Sequence, residues 1–270
     1  MRIMVIGGSG YLGSEVVRRA GGSGHEVIAT SRAEASRHHL DITSRLAVAS
    51  LISQVQPQCI INAAYRQDAW APTAIGPGNV ALAAAACGAH LIQVSSDSVF
   101  SGRAPAYPES SYPDPLTPYG AAKAAAETAI QAIDPTAAIV RTSLIVGDGH
   151  SVHEQFVRAL ISGENEGVLF TDVLRCPVHV ADLAAALLEI AEQQRSGILH
   201  AAGPEAVSRY DLGCMIARRL GLDEKRLRPD QRATTPTPGP LAVRLDSRNT
   251  QSTLRTALRG ATEFLDNRSC

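Results

Sequence analysis

Immediately after the apolar run Ile3 to Ile6 the chain reads Gly7-Gly8-Ser9-Gly10-Tyr11-Leu12-Gly13, and from Tyr11 to Ala20 its apolar residues take helical spacing. A glycine-rich turn between a strand and a helix restricts the fold more than any other feature here. Gly7 permits the tight turn, Gly10 lets backbone approach a pyrophosphate, and Gly13 lets helix and strand pack closely. Tyr11 and Leu12 open the helix, whose N-terminus offers unpaired N–H groups and the positive end of a dipole to phosphates. In this position the pattern is the opening of a dinucleotide-binding βαβ unit.

Further Val- and Ile-rich runs follow at Val27 to Ala29, Cys59 to Asn62, Leu91 to Val94, Ile139 to Val140 and Leu144 to Val146. Helical spacing separates them at Arg45 to Val55, Val80 to Cys87 and Tyr119 to Ile133. Short buried strands alternating with helices imply a parallel sheet covered on both faces, a doubly wound α/β fold of Rossmann type. Past residue 147 the rhythm loosens. Helices still read at Val152 to Ile161, Val180 to Gln193 and Tyr210 to Leu220, and Leu254, Leu258 and Leu265 suggest closing helices after the Pro-rich loop Thr234 to Pro240. The expected organisation is a cofactor-binding domain over residues 1–147 and, over 148–270, a small C-terminal substrate-binding lobe interleaved with the sheet.

A formal charge of -1 and an aromatic content of 4% leave neither a basic surface nor stacking platforms for nucleic acid. No apolar segment is long enough to span a bilayer, and the first glycines interrupt any signal-peptide core. Cys59, Cys87, Cys176, Cys214 and Cys270 are scattered without metal-ligand spacing, so no metal site is expected. Free thiols in a reducing cytoplasm are the expectation.

The end of the second strand bears on which dinucleotide binds. NAD sites carry an acidic residue about 20 positions beyond the glycines for the ribose 2′-hydroxyl, whereas this chain has Thr30-Ser31-Arg32. Arg32 can pair with a 2′-phosphate through its planar fork and Ser31 can add a hydroxyl, which favours NADPH, with NADH the alternative. Asp41, beside Ile42, is placed either to meet the adenine edge or to cap the following helix. Asn62-Ala63-Ala64 ends a strand with residues small enough for the cofactor to lie against backbone.

The chain has two lysines, and one of them, Lys123, follows Tyr119 at helical i, i+4 spacing. A nearby ammonium stabilises a phenolate, so Tyr119 could give a proton to a carbonyl oxygen as hydride arrives. Lys123 has further donors for nicotinamide ribose hydroxyls, which arginine's rigid fork would not supply equally. Upstream, the strand Leu91 to Val94 runs into Ser95-Ser96-Asp97-Ser98. Ligands of parallel sheets sit beyond the carboxyl ends of strands, which is where Ser96 falls.

GGSGYLG, INAA, VSSDSVFSG, PDPLTPYGAAKAAAE, IVRTSLIVGD, RCPVHVADLA and VRLDSRNT together resemble the extended short-chain dehydrogenase/reductases, above all the dTDP-4-dehydrorhamnose reductase branch. The resemblance implies a catalytic triad of Ser96, Tyr119 and Lys123. It also implies a sugar nucleotide bordered by the loop after Ser96 (Asp97, Ser98, Val99, Phe100) and by the region Arg141 to Gly147, including Ser143. The implied reaction is NADPH-dependent reduction of a keto group on a nucleotide-linked deoxysugar. A sugar-nucleotide epimerase or dehydratase is a second reading. A third is a regulatory subunit, because the resemblance extends to the β subunit of methionine adenosyltransferase. The segment Tyr65-Arg66-Gln67-Asp68-Ala69-Trp70-Ala71-Pro72 is shorter than the family's and bears on substrate fit and homodimer contacts. Trp70 reads as a stacking residue for a base or sugar or as part of an exposed loop near the cofactor, His38, His39 and His179 as surface or packed residues, and Arg175 as either a diphosphate contact or a structural ion pair.

Overall fold

The computed structural model describes residues 1–33, 38–235 and 239–265. Cys270 and part of the Pro-rich loop lie outside them. The first half alternates β1 (Arg2–Ile6), α1 (Tyr11–Gly22), β2 (Glu26–Thr30), α2 (Arg45–Val55), β3 (Cys59–Asn62), α3 (Gly76–Cys87), β4 (His90–Ser96), α4 (Pro118–Ile133) and β5 (Ala138–Thr142). The second half runs β6 (Ile145–Val146), α5 (Val152–Ser162), β7 (Leu169–Phe170), β8 (Leu174–Arg175), β9 (Val178–His179), α6 (Val180–Glu192), β10 (Gly197–His200), β11 (Val207–Ser208), α7 (Arg209–Arg219), β12 (Pro229–Asp230), α8 (Arg248–Gln251) and α9 (Ala261–Leu265).

Six parallel strands form the central sheet in the order β10-β5-β4-β3-β1-β2. Successive side chains of a strand point to opposite faces, and each face has its own core. Ile3, Val5, Ile61, Ile92 and Val140 pack under α1 and α6, while Met4, Ile6, Ile60, Leu91 and Ile139 pack under α2 and α3. Double-sided burial explains why these strands read as continuous apolar runs. The chain winds outward in both directions from β1 and β3, which places their carboxyl ends and that of β4 at the switch point where such sheets bind ligands.

The sheet crosses residue 147: its edge strand β10 and its covering helix α6 come from the second half. The remaining C-terminal residues build a lobe in which α5, α7 and α9 share a separate core around Val157, Ile161, Leu212, Ile216 and Phe264. Two expectations need correction there. Leu254 and Leu258 are buried against the sheet-side core but fall between α8 and α9, in chain without helix. The N-cap of α2 is Ser44, whose hydroxyl accepts from Ala47 N, and Asp41 instead closes a turn on Thr43. The cysteines described are free, with Cys59, Cys176 and Cys214 buried and Cys87 partly so. No described helix is long and apolar enough to cross a membrane.

Helix α4 is fixed to the sheet by charge. Glu127, on its buried face, accepts from the Arg141 guanidinium of β5 at 2.7 Å and from Ser95 Oγ of β4 at 2.5 Å. Arg141 spends another N–H on Ser111 O at 3.1 Å and lies over the Phe100 ring at 5.0 Å. Both members of the pair have side chains only 3% exposed, so removing one strands the other's charge in the interior. Glu127→Ala is therefore expected to cost about 3–5 kcal/mol of stability, read in urea denaturation as a lower midpoint at unchanged slope.

Candidate active site

The glycine loop begins the site. Gly7 has φ +81°, a conformation that favours glycine, and a Cβ on Gly13 would overlap the Gly7 carbonyl oxygen, so only glycine lets α1 start this close to β1. The N-cap of α1 is Gly10, which supplies no side-chain acceptor to the first N–H groups. Those donors are left for an anion at the helix terminus. A dinucleotide phosphate fits this cradle.

Helix α4 brings the next groups. Thr117 caps it by accepting from Gly120 N at 3.1 Å, and Pro118 at the first position presets the helical φ. A Cβ at Gly120 would overlap the Ser98 carbonyl oxygen, so the first turn lies directly on the loop that follows β4. That contact sets Tyr119 beside Ser96. One turn on, Lys123 is buried and donates from Nζ to Val94 O at 3.0 Å, which leaves two of its three N–H bonds uncommitted.

Gly7, Gly10, Tyr11, Leu12, Gly13, Ala63, Ser96, Asp97, Ser98, Tyr119, Lys123 and Ser143 line a single cleft of ≈ 250 Å³ at the carboxyl ends of the strands. Ser31, Arg32, Asp41 and Ile42 sit beyond it, past the end of β2. There the Ser31 backbone pairs with His38 and Leu40, Ile42 packs against Gly76, and Arg32 is exposed with no ion pair among the described residues. Thr43 holds the Asp41 carboxyl below the usual carboxylate range, against the effect of burial.

Several side chains do not face ligand space. Val99 and Phe100 are fully buried in a satellite core, where Phe100 stacks on Tyr107 at 4.1 Å; the short turn after Ser96 directs them inward. Asn62 is likewise enclosed, donating to Gln93 Oε1 at 2.8 Å and accepting from Ala64 N at 3.1 Å, so it shapes the turn after β3. Arg141 is committed to Glu127. Arg175 donates to the carbonyls of Leu174, Leu241 and Pro240 and lies 3.5 Å from Asp97. His179 caps α6 and packs edge-on against Phe264. Trp70 is exposed and does not line the cleft.

Asp97 joins the two halves. Its carboxylate accepts from Ser143 Oγ at 2.6 Å and from Ser96 Oγ at 3.3 Å, with Arg175 of β8 behind it. Burial pushes the Tyr119 phenol well above its usual value; Tyr65 and Asp97 add to this and a hydrogen bond with Ser96 opposes it. Burial pulls the Lys123 ammonium down to about 8, against the attraction of Glu127.

Leu144 and Ile145 line the cleft within the region expected to border the substrate, Tyr65 and Gln67 were named only within a segment bearing on substrate fit, and sequence reading missed Ser151, Val152 and His153. Tyr65 had one available signal, its place directly after the strand-ending Asn-Ala-Ala. Its ring lies 5.8 Å from that of Tyr119 and 4.9 Å from Lys123 Nζ, helping to enclose the ammonium. With two lysines in the chain, NMR of the lysine side chains should resolve Lys123 titrating near pH 8. In Tyr65→Ala, which admits water, the midpoint should move upward.

The RmlD substrate binding domain family matches this chain over residues 1–267. The chain is 34% identical over 281 residues to the dTDP-4-dehydrorhamnose reductase of Mycolicibacterium smegmatis, covering 98% of this chain and 84% of that one. It is 31% identical over 249 residues to methionine adenosyltransferase 2 subunit beta of Xenopus laevis, covering 84% and 75%. The crystal structure of a dTDP-4-dehydrorhamnose reductase from Clostridium acetobutylicum superposes with a TM-score of 0.87 at 29% identity, over 98% and 97% of the two chains. A Bacillus anthracis dTDP-4-dehydrorhamnose reductase in complex with NADP shares the fold at a TM-score of 0.85 and 23% identity, over 98% and 96% of the chains. With its doubly wound sheet and a family match along nearly its whole length, the chain belongs to the RmlD substrate-binding domain family of extended short-chain dehydrogenase/reductase-like proteins.

Proposed function

We propose that this protein is an NADPH-dependent reductase of a keto group on a nucleotide-linked deoxysugar, of the dTDP-4-dehydrorhamnose type. The observation that carries the reading is the convergence of Ser96, Tyr119 and Lys123 on one cleft with the glycine loop. The reductase relatives favour the same chemistry, and the exposed Arg32 at the end of β2 is suited to a 2′-phosphate. The four free thiols among the described residues suit a cytoplasmic setting.

When bound, the reduced nicotinamide supplies hydride to the carbonyl carbon. The remaining work falls to side chains of the cleft. Ser96 turns its hydroxyl from the long Asp97 contact to the substrate oxygen, while its own oxygen still accepts from Ser98 N at 3.2 Å. Tyr119, kept protonated by burial, hands its phenolic proton to that oxygen as charge develops there. Lys123, oriented by Val94 O, has two free N–H groups with which to hold ribose hydroxyls, and its positive charge stabilises the phenolate left behind.

Consumption of NADPH with dTDP-4-keto-6-deoxysugars tests the reading. Turnover is expected in the wild type, and Tyr119→Phe should lower it by roughly 100- to 10,000-fold while still binding cofactor. Cofactor binding without turnover in either protein would instead favour a regulatory role like that of the methionine adenosyltransferase relatives. The pH profile follows from Lys123: the ammonium is present below its pKa of about 8 and lost above it. In the free enzyme, kcat/KM should therefore fall as pH rises through that value. Lys123→Met, slow throughout, should lack the inflection.

A further inference from the structure

Two amides stand in the sheet where its pattern calls for apolar side chains. Asn62 at the end of β3 and Gln93 of β4 are buried cross-strand neighbours, on the face otherwise lined by Ile60, Leu91 and Ile139. The parallel pattern between these strands begins with His90 N–H on Gln58 O, and its regular spacing would bring Ala64 N–H to Val94 O. That bond is not made. Ala64 N–H goes instead to Asn62 Oδ1 at 3.1 Å, Asn62 Nδ2 donates to Gln93 Oε1 at 2.8 Å, and Gln93 Nε2 donates to Val94 O at 2.9 Å.

The direction of this relay is fixed by its ends. A backbone N–H only donates and a backbone carbonyl only accepts, so each amide has one orientation that satisfies both of its neighbours. A buried polar chain with every link paired is held rigidly, because an unpaired member is destabilising. At one end Val94 O also receives Lys123 Nζ at 3.0 Å. At the other the turn Ala63-Ala64 lies against the glycine loop, where a Cβ on Gly7 would come to 3.0 Å from Ala64 N. Ala63 and Val94 both line the cleft, so the relay runs behind its wall from the dinucleotide loop to the lysine. The titratable groups that face the ammonium are Glu127 and Tyr119 of its own helix and Tyr65 of the turn after β3.

We propose that Gln93, oriented by Asn62, is a positioning residue for Lys123: the two amides replace the ladder bond that β3 and β4 forgo, keep Val94 O available to the lysine, and so aim its remaining N–H groups at the ligand side of the cleft. The consequence for turnover rests on the reductase reading above, whereas the effect on the lysine does not. Without the relay, Ala64 N–H is free to close the ladder on Val94 O and compete with Lys123 for it. Losing an acceptor disfavours the charged form, so the ammonium gives up its proton at lower pH. Loosened packing acts in the opposite direction, because water entering the site favours the charge.

NMR titration of Lys123 in the full chain, in the wild type, Gln93→Met, Asn62→Leu and the double variant, tests the relay, with near-ultraviolet circular dichroism as the check that each remains folded. From about 8 in the wild type, the midpoint should fall by about one unit in each single variant. The double variant should fall no further, because both changes break the same chain. In turnover with a dTDP-4-keto-6-deoxysugar, kcat should drop by about 10- to 100-fold while KM for the sugar nucleotide holds. The double variant strands no amide and decides the matter if a single variant does not fold. An unchanged or raised midpoint in the folded variants overturns the inference, and so does a double variant whose shift is the sum of the two. Lowered midpoints in a protein that reduces no sugar nucleotide would overturn the reductase reading and leave the relay standing.

Discussion

Three elements that carry the chemistry, β4, β5 and α4, are tied together by one buried carboxylate. Glu127 receives Arg141 from β5 and Ser95 from β4. A buried charge is stable only while every partner is in place, so this interaction tolerates little displacement of the helix along the sheet. Ser95 immediately precedes Ser96, and Lys123 lies one helical turn before Glu127. The register that satisfies the ion pair is thus the register that sets the reacting groups. Glu127 has a second effect, because its negative charge favours the ammonium form of a lysine that burial would otherwise neutralise further.

The second half of the chain is aligned to this centre through Asp97. Its carboxylate takes one hydroxyl from Ser96 at the end of β4 and another, Ser143, from the segment after β5, while the Arg175 guanidinium holds the tail of the Pro-rich loop through Pro240 and Leu241. The same loop turns Val99 and Phe100 into a core of their own beneath Tyr107. The lobe therefore does not hang from a linker: β10 and α6 complete the sheet, and the polar cluster around Asp97 sets the lobe's wall of the cleft relative to the catalytic wall.

The parts of this arrangement legible in the sequence are those written in local pattern. Double-sided burial made β1 and β3 readable as apolar runs, and the glycine loop could be placed because Gly7 and Gly13 are steric requirements of a single turn. Strand β10 escaped notice because its four residues, Gly197–His200, offer only two strongly apolar side chains and no alternation. The family resemblance implies that Val99 and Phe100 border substrate, yet the tight turn after Ser96 sends neighbouring side chains to opposite sides. Asp41 and Ser44 are both plausible helix starts by residue type, and only the backbone geometry distinguishes them. His153, whose imidazole meets Arg209 56 residues away, is part of no motif; a pair made by tertiary contact leaves no local trace.

Overall similarity does not separate the two kinds of relative, since a reductase at 34% identity and a methionine adenosyltransferase β subunit at 31% stand almost level. What distinguishes them is the state of individual groups in the cleft. A reductase needs a phenol that is protonated before hydride arrives, whereas an enzyme that begins by oxidising its substrate needs the same tyrosine to accept a proton first. Burial of Tyr119 favours the protonated phenol. Lys123, hydrogen-bonded to Val94 O with Nζ 5.9 Å from the Tyr119 centroid, is placed to stabilise the phenolate once that proton has left. The resting site is therefore charged with a proton to give, and this asymmetry favours reduction over an initial oxidation.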